Sequence, residues 1–223
     1  MELIENTQLV LLDFDGLLVN TEHLHFQAYQ RMCSSRGFTL SWDFATFCSI
    51  AHRSSTGLKE RMYEDLKELY AMEPSWDVLY KEKKAEYTKL LKEGAVELMP
   101  GAGRFLMLLD QKKIKRAVVT NSPKEQIDLI KDQIPLLQTI PNWITREDYK
   151  NAKPEPDGYL KALAKLAEPG DNVLGFEDTL RGYAALESAE VEGIVVSDVL
   201  SEEFRRELLL KGARIASSFL EII

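Results

Sequence analysis

Hydrophobic and polar positions follow two different patterns along the chain. Residues 8–14 form a short, nearly continuous apolar run, which predicts a buried strand. Residues 21–93 contain no convincing strand, and their apolar positions recur at helical spacing. Breaks in this helical segment fall at Gly37, Gly57, Glu73-Pro74 and Gly94. The pattern therefore predicts one strand followed by a long helical segment.

After Pro100 the chain alternates between short apolar runs and helical segments. The predicted strands cover residues 115–120, 142–145, 172–176, 192–196 and 213–216. The predicted helices cover residues 102–112, 123–133, 156–167, 179–189 and 201–211. Strands that alternate with helices of this length are typical of a parallel sheet with crossover helices. The expected fold class is therefore α/β.

The helical segment is most simply an insertion into one sheet domain. We predict that residues 1–18 and 95–223 form the sheet domain and that residues 19–94 form an inserted helical cap. The insertion leaves the first strand at its carboxyl end, which is the end where open α/β sheets bind ligands. We therefore expect the helical domain to cover the site like a lid.

Composition and charge exclude several classes of function. Of the 223 residues, 45% are hydrophobic and 29% are charged, which is ordinary for a globular protein with a sizeable core. The formal net charge of −8 argues against a nucleic-acid partner, because that role needs a basic surface. The chain contains no run of about 18 apolar residues, so we expect no segment that spans a membrane. We expect a cytoplasmic protein with no membrane partner, either a monomer or a weak homodimer.

The two cysteines do not form a recognisable metal or redox motif. Cys33 and Cys48 are far apart in sequence and both lie in stretches with helical spacing. We expect two reduced, packed thiols rather than a disulfide or a zinc site.

Two carboxylates follow the first strand. Asp13 and Asp15 point to the same side of an extended chain, and Phe14 points away. Two acids at this spacing disfavour each other's ionisation unless a cation lies between them or one of them is protonated. Gly16 then allows a sharp turn with the backbone close to a ligand. The motif predicts a divalent cation, a general acid or both, although a solvated turn remains an alternative.

Three further strand ends carry polar residues. Thr120 and Asn121 precede a helix that starts at Pro123, and a helix N-terminus binds anions. Lys153 precedes two prolines that stiffen its loop and could hold a fixed positive charge. The alternatives are an ordinary helix cap and a surface lysine.

The fourth strand end carries the adjacent acids Glu177 and Asp178. Adjacent residues on a strand point in opposite directions, so we expect one of them to face the site. The alternative is a helix cap made by Asp178. Carboxyl ends of parallel strands meet at one edge, which would gather oxygen ligands, a cation and hydroxyl donors. Such a set is what phosphoryl transfer requires.

The ordered motifs of the chain identify a resemblance. They are Asp13-Phe14-Asp15-Gly16, Thr120-Asn121, Lys153-Pro154 and Glu177-Asp178. This order resembles the haloacid dehalogenase (HAD) superfamily, in particular its phosphatase-like members with a helical C1-type cap after the first strand. The similarity is greatest to the β-phosphoglucomutase and phosphoglycolate phosphatase-like group and spans nearly the whole chain. It implies a Rossmann-like parallel sheet core with a mobile cap.

The resemblance also implies a role for each motif. Asp13 would be the nucleophile that forms an aspartyl-phosphate, and Asp15 would be the general acid and base. Thr120, Asn121 and Lys153 would bind the phosphate. The implied activity is a phosphatase that hydrolyses a small phosphorylated metabolite.

A Mg²⁺ cofactor is part of the same expectation. Its ligands would be the carboxylates of Asp13 and Asp178 and the backbone carbonyl of Asp15. Glu177 would lie nearby, either as a further ligand or beside the ligands.

The helical segment departs from the family pattern in places. Position 20 is Asn where the group often has Asp, and His52 stands where a glycine is common. His52 could contact the substrate or be a surface histidine. Arg53 matches a position that often contacts an anion. His25 aligns with a histidine near the general acid in the β-phosphoglucomutase branch, but a packed role without catalysis is an equal alternative.

Three other functions compete with the phosphatase. A sugar-phosphate mutase would use the same aspartyl-phosphate and return the phosphoryl group to a second hydroxyl. A phospho-accepting receiver module combines similar groups, but it is shorter and lacks the helical insertion. A catalytically inactive relative would act through contacts alone, and the intact motif set argues against it.

Overall fold

Two compact units make up the chain. The computed structural model describes residues 4–53, 56–94 and 96–223. One unit comprises Met1–Asn20 with Val96–Ile223, and the other comprises Thr21–Ala95. Residue 95, at which the predicted sheet domain resumes after the insertion, lies outside the described residues. The role of the second unit as a cap stays a prediction.

The first unit contains a parallel sheet of six strands. Its strands are β1 (Leu9–Leu12), β2 (Lys115–Val119), β3 (Trp143–Ile144), β4 (Val173–Glu177), β5 (Glu192–Val196) and β6 (Arg214–Ala216). Their order in the sheet is β3-β2-β1-β4-β5-β6, and every pairing is parallel. This order is that of a Rossmann-type sheet, whereas the receiver-type order is 2-1-3-4-5. The predicted α/β, Rossmann-like fold class is confirmed.

Helices account for most of the remaining described chain. The second unit contains α1 (Glu22–Ser35), α2 (Phe44–Ala51), α3 (Gly57–Asp65), α4 (Lys67–Met72) and α5 (Trp76–Lys92). The sheet unit contains α6 (Ala102–Gln111), α7 (Lys124–Gln133), α8 (Asp157–Leu166), α9 (Leu180–Ser188) and α10 (Glu202–Leu210). Short 3₁₀ turns occur at Pro135–Thr139, Arg146–Asp148 and Phe219–Glu221. In the sheet unit each helix of the sequence prediction is present within one residue at either end.

Both faces of the sheet are buried, which explains why β1 is apolar at every position. Leu9 and Leu11 pack in one cluster with Ala162 of α8 and Leu186 of α9. Strand side chains alternate between faces, so Val10 and Leu12 face the opposite layer. All four β1 side chains are fully buried, as expected for a parallel sheet covered by helices on both sides.

Three aromatic rings pack together elsewhere in the sheet unit. Phe105 of α6 lies 5.0 Å from Phe176 of β4 and 4.6 Å from Phe219, measured between ring centroids. Phe219 belongs to the last 3₁₀ turn, so the carboxyl-terminal residues take part in the core. The aromatic cluster therefore joins α6, the central sheet and the end of the chain.

The helical unit has a separate hydrophobic core. Its buried members include Tyr29, Met32, Phe47 and Met62. The sequence pattern from Leu58 to Tyr70 predicts one helix, and this prediction is wrong, since α3 and α4 are distinct. Leu66 separates them with a backbone that is not helical, φ −120° and ψ 68°. Hydrophobic spacing continued across the break because both helices contribute residues to the same core.

Among the described residues, no helix has the length and apolar character needed to cross a bilayer.

Candidate active site

The polar residues singled out in the sheet unit follow four strands that are neighbours in the sheet. Lys153 follows β3, Thr120 follows β2, Asp13 follows β1, and Glu177 ends β4 with Asp178 next to it. The chain order of the strands reverses around β1, and open α/β sheets bind ligands at such a reversal. Strands that are distant in sequence thus present their carboxyl ends at one place.

Lys153 joins the ends of β1 and β4. Its Nζ atom donates hydrogen bonds to Asp13 Oδ1 and, over 2.7 Å, to the backbone carbonyl of Val119. It also lies 2.7 Å from Glu177 Oε1 and 4.9 Å from the centroid of the Tyr159 ring. Lys153 is buried, so the alternative of a surface lysine is wrong. The buried charge is compensated by two carboxylates and a carbonyl oxygen.

Asn121 holds the loop that carries Lys153. Its side-chain oxygen accepts a hydrogen bond from the backbone N–H of Lys153 over 3.1 Å. The hydroxyl of Tyr149 lies 2.8 Å from the same oxygen and 2.6 Å from the carbonyl oxygen of Thr120. The side chain of Asn121 therefore connects the end of β2 to the lysine loop.

Three buried carboxyl groups lie together beside Lys153. Oxygen atoms of Asp13, Glu177 and Asp178 are all within 4.8 Å of one another. Burial, with the neighbouring Glu177, raises the pKa of Asp13 to about 8, although Lys153 opposes the shift. Burial lowers the pKa of Lys153, but Asp13 and Glu177 raise it by more, so Lys153 carries its charge. If all three groups were ionised, their negative charge would exceed that of the one ammonium group, and a divalent cation bound by oxygen ligands would fit this set.

Both acids of the fourth strand end belong to the cluster. The expectation that only one of Glu177 and Asp178 would face the site is wrong. Strand geometry ends at Glu177, so the alternation of side chains does not extend to Asp178. Asp178 is also not the helix cap, because Thr179 accepts the capping hydrogen bond from the backbone N–H of Gly182.

The position of Glu177 depends on a glycine in the next helix. A Cβ atom on Gly182 would lie 1.8 Å from Glu177 Oε2 and 2.0 Å from its carboxyl carbon. The other carboxyl oxygen, Oε1, accepts a hydrogen bond from the buried hydroxyl of Tyr159. The sequence does not distinguish Tyr159 from the other residues on the apolar face of α8. Neither Tyr159 nor Gly182 was predicted to position Glu177.

Asp15 has its own hydroxyl partners at the end of β2. Its Oδ2 atom accepts hydrogen bonds from Ser122 Oγ over 2.5 Å and from Thr120 Oγ1 over 3.4 Å. The chain turns at Gly16, directly after Asp15, with a φ of +78°. Ser122 was not among the predicted site residues. Its place two positions after Thr120 at a strand end is the signal that could have identified it.

His25 lies within the helical unit in a polar contact. Its Nδ1 atom is 2.6 Å from Lys83 Nζ, and its ring stacks on Tyr87 with centroids 4.0 Å apart. Burial, with the charge of Lys83, lowers the pKa of His25 to about 3, so the ring is neutral and accepts the hydrogen bond. The predicted functional role of His25 is not tested by these contacts.

The other two predicted residues of the helical unit differ in burial. His52 is buried, with 2% of its surface exposed, so the alternative of a surface histidine is wrong. Its neighbour Arg53 is exposed. His52 directly follows the end of α2. The predicted substrate contacts of His52 and Arg53 stay predictions.

Comparison with known proteins assigns the chain to a family. The model of the haloacid dehalogenase-like hydrolases matches residues 10–196. The chain belongs to this family. It is 31% identical over 191 residues to a phosphorylated carbohydrates phosphatase of Thermotoga maritima, which covers 83% of this chain and 82% of that protein. It is 28% identical over 184 residues to validoxylamine A 7'-phosphate phosphatase of Streptomyces hygroscopicus subsp. limoneus, covering 82% and 83%.

A solved structure also resembles this haloacid dehalogenase-like hydrolase over nearly its whole length. It comes from Thermotoga maritima and is described as a candidate β-phosphoglucomutase, with a TM-score of 0.74 and 28% identity. The match covers 96% of each chain. The predicted family and enzyme class, a HAD-like phosphomonoester hydrolase, are confirmed by the family match together with the phosphatase relatives.

Proposed function

We propose that this hydrolase is a Mg²⁺-dependent phosphatase that acts on a small phosphorylated metabolite through an aspartyl-phosphate on Asp13. The observation that carries the proposal is the buried contact of Lys153 with both Asp13 and Glu177. This contact brings together, at one edge of the sheet, a candidate nucleophile, a fixed positive charge and a cluster of oxygen ligands. The phosphatase relatives support a phosphorylated carbohydrate or similar small molecule as the substrate.

In the first step a carboxylate oxygen of Asp13 attacks the phosphorus atom of the substrate. A bond forms between that oxygen and phosphorus, and the bond from phosphorus to the leaving alcohol oxygen breaks. Asp15 donates its proton to the leaving oxygen, so the alcohol departs neutral. Splitting the displacement in this way replaces one difficult step by two easier ones.

In the second step water attacks the phosphorus atom of the aspartyl-phosphate. Asp15, now a carboxylate, accepts a proton from the water. The bond between phosphorus and Asp13 breaks, which releases inorganic phosphate and regenerates both acids. The hydroxyl of Ser122 keeps the Asp15 carboxyl oriented for both proton transfers.

Three residues are assigned to the phosphoryl oxygens. The Thr120 hydroxyl and the ammonium group of Lys153 provide a donor and a positive charge beside Asp13. Asn121 contributes through its backbone and through the hydrogen bond that its side-chain oxygen accepts from the backbone N–H of Lys153. Fixed donors and charges of this kind stabilise a phosphoryl group as negative charge redistributes over it.

Mg²⁺ is assigned to the carboxylates of Asp13 and Asp178 and the backbone carbonyl of Asp15, with Glu177 beside them. The fit rests on the donor set, which consists of buried carboxylate oxygens with excess negative charge. A bound divalent cation supplies charge neutralisation for the phosphoryl oxygens and the nucleophile. It would also favour the ionised form of Asp13, whose pKa burial raises to about 8.

The mutase alternative has less support than the phosphatase. The curated relatives described above are both phosphatases, one of them for phosphorylated carbohydrates. Incubation with β-glucose 1-phosphate separates the two activities. The phosphatase releases inorganic phosphate, whereas isomerisation to glucose 6-phosphate without net phosphate release would overturn the assignment.

The decisive experiment removes the nucleophile. Asp13→Asn should reduce p-nitrophenyl phosphate hydrolysis by about 1,000-fold or more, and chelation with EDTA should abolish activity until Mg²⁺ is restored. Wild-type enzyme quenched in acid during turnover should carry one phosphoryl group on the peptide that contains Asp13. The matched control is Asp128→Asn, since Asp128 is a half-exposed acid of α7 paired with Lys124. Full activity of Asp13→Asn would disprove the mechanism.

A further inference from the structure

A second group of potential metal ligands lies entirely within the helical unit. Ligand atoms of Glu22, Cys48 and His52 are all within 4.8 Å of one another. None of these residues belongs to the acidic cluster around Asp13. The chemistry proposed above uses neither Glu22 nor Cys48, so their juxtaposition calls for a separate explanation.

Local helix geometry brings two of the three side chains together. Cys48 lies in α2 and His52 directly follows that helix, four residues later. The backbone N–H of His52 donates to the carbonyl oxygen of Cys48 over 3.0 Å, so the helical turn extends to His52. Residues four apart in a helix project from the same face. Glu22 is the first residue of α1 and approaches from a different helix.

The imidazole of His52 points into this group with a nitrogen that is not satisfied. His52 is 2% exposed, and its Nε2 atom has no hydrogen-bond partner among the described residues. The nearby Glu22 Oε2 is 3.7 Å away, which is longer than a hydrogen bond. A buried polar nitrogen without a partner is costly. A metal ion would use the lone pair of this nitrogen.

Glu22 supplies the oxygen ligand of the group, and metal ligation uses its ionised carboxylate. Lys83 and His25 also face Glu22, and Lys83 contributes a positive charge that would weaken cation binding. A thiolate at Cys48 would counter that charge.

We propose that Glu22, Cys48 and His52 form a binding site for Zn²⁺ or another borderline divalent cation. Carboxylate oxygen, thiolate sulfur and imidazole nitrogen are the zinc ligands of proteins, with bond lengths of about 2.0–2.3 Å. Tetrahedral ligands at these lengths lie about 3.4–3.6 Å apart, close to the 3.7 Å between His52 Nε2 and Glu22 Oε2. Three protein ligands leave a fourth position for water or an exogenous group.

The sequence pattern argues against a zinc site, because Cys33 and Cys48 form no closely spaced pair. Here the pattern is one cysteine followed by a histidine four residues later, and the third ligand comes from another helix. Binding would connect the start of α1 to the end of α2. It would also fix the residue after His52, which is Arg53, the position expected to contact an anion.

Cobalt binding to the full-length protein tests the proposal. Co²⁺ should produce a thiolate-to-cobalt charge-transfer absorption that saturates at one ion per chain and is displaced by Zn²⁺. Asp13→Asn should retain the band, because a site made of carboxylates alone cannot produce it. This readout is independent of the proposed phosphatase activity, so either idea can fail without the other.

Matched variants identify the ligands. Cys48→Ser should abolish the band, and His52→Gln should weaken Co²⁺ affinity by about tenfold or more. Cys33→Ser should leave the band unchanged, because Cys33 is the other buried thiol of this unit and lies outside the group. Zn²⁺ should raise the unfolding temperature of the wild type. Absence of the band in folded wild-type protein, or its persistence in folded Cys48→Ser, would overturn the proposal.

Discussion

The hydroxyl of Ser122 donates a hydrogen bond to Asp15 over 2.5 Å, joining the end of β2 to the segment after β1. The two residues are far apart in sequence and follow neighbouring strands of the sheet. Hydrogen bonds to charged groups are stronger than bonds between neutral groups. The Ser122 hydroxyl therefore positions the group to which we assign both proton transfers.

Ser122→Ala should lower kcat with little change in KM. Loss of a hydrogen bond costs about 0.5–1.5 kcal/mol when the acceptor is neutral and about 1.5–3 kcal/mol when it is charged, which together span roughly 2-fold to 150-fold in rate. Steady-state kinetics with an alkyl phosphate and with p-nitrophenyl phosphate measures the effect. The alkyl phosphate should suffer more, since its leaving group needs the proton from Asp15. Ser122→Thr retains the hydroxyl and should recover most of the activity. An equal loss in Ser122→Thr would rule out the positioning role.

Lys153→Met should destabilise the protein strongly. Removal of Lys153 leaves the buried carboxyls of Asp13 and Glu177 without their counter-charge. Breaking a buried ion pair by removing one partner costs about 3–5 kcal/mol. The free energy of unfolding from urea titration, measured in EDTA, reports the change.

Lys115→Met is the matched control for that experiment. Lys115 pairs with Asp171 and Glu168 at the surface, with about a third of its side chain exposed. Loss of a surface pair should cost less than about 1 kcal/mol. Similar losses of unfolding free energy in Lys153→Met and Lys115→Met would show that the buried ion pairs of Lys153 contribute no more to stability than a surface pair.

Gly182→Ala should disturb the acidic cluster, whereas Gly103→Ala should not. A Cβ atom at position 182 would overlap the carboxyl group of Glu177, so Glu177 must move away from Lys153. Overpacking of this kind costs about 1–3 kcal/mol, and kcat should fall as well. At position 103 the added atom would lie 3.3 Å from a methyl carbon of Leu98. Both glycines lie in the first turn of a helix, so helix propensity favours alanine at each. A stable and fully active Gly182→Ala variant would contradict the close packing.

The burial of His25, together with its contact with Lys83, should make stability fall in mild acid. The pKa of His25 is lowered from 6.5 to about 3, by burial and by Lys83. Below pH 6.5 the unfolded chain binds a proton at this residue that the folded chain excludes. The stabilisation is therefore present above pH 6.5 and is lost as the pH falls towards 3.

The size of this effect is measurable against a variant that does not titrate. Between pH 7 and pH 5 the wild type should lose about 2 kcal/mol relative to His25→Gln. Urea unfolding at a series of pH values, in the presence of EDTA, gives the difference. Lys83→Met should reduce the slope, because the lysine contributes to the lowered pKa. A pH-independent difference between wild type and His25→Gln would show that His25 is not held neutral.

The local pattern of hydrophobic and polar residues was sufficient to predict the helices and strands of the sheet unit. It did not predict all helix boundaries of the helical unit. Strand β1 is apolar at each position because both faces of the sheet are covered, and such a run is visible in sequence. The break at Leu66 is not visible, since its flanking helices α3 and α4 continue the same hydrophobic spacing. Backbone geometry at one residue leaves no mark on that spacing.

The sequence by itself determined the α/β class, the order of strands and helices in the sheet unit, and the polar residues at the strand ends. These properties depend on neighbours along the chain. Only the tertiary structure decided that Ser122 reaches Asp15, that Tyr159 and Gly182 place Glu177, and that Asp178 joins the same cluster. The physical reason is that such contacts depend on strand order and on packing between strand and helix, which bring together residues that are distant in sequence.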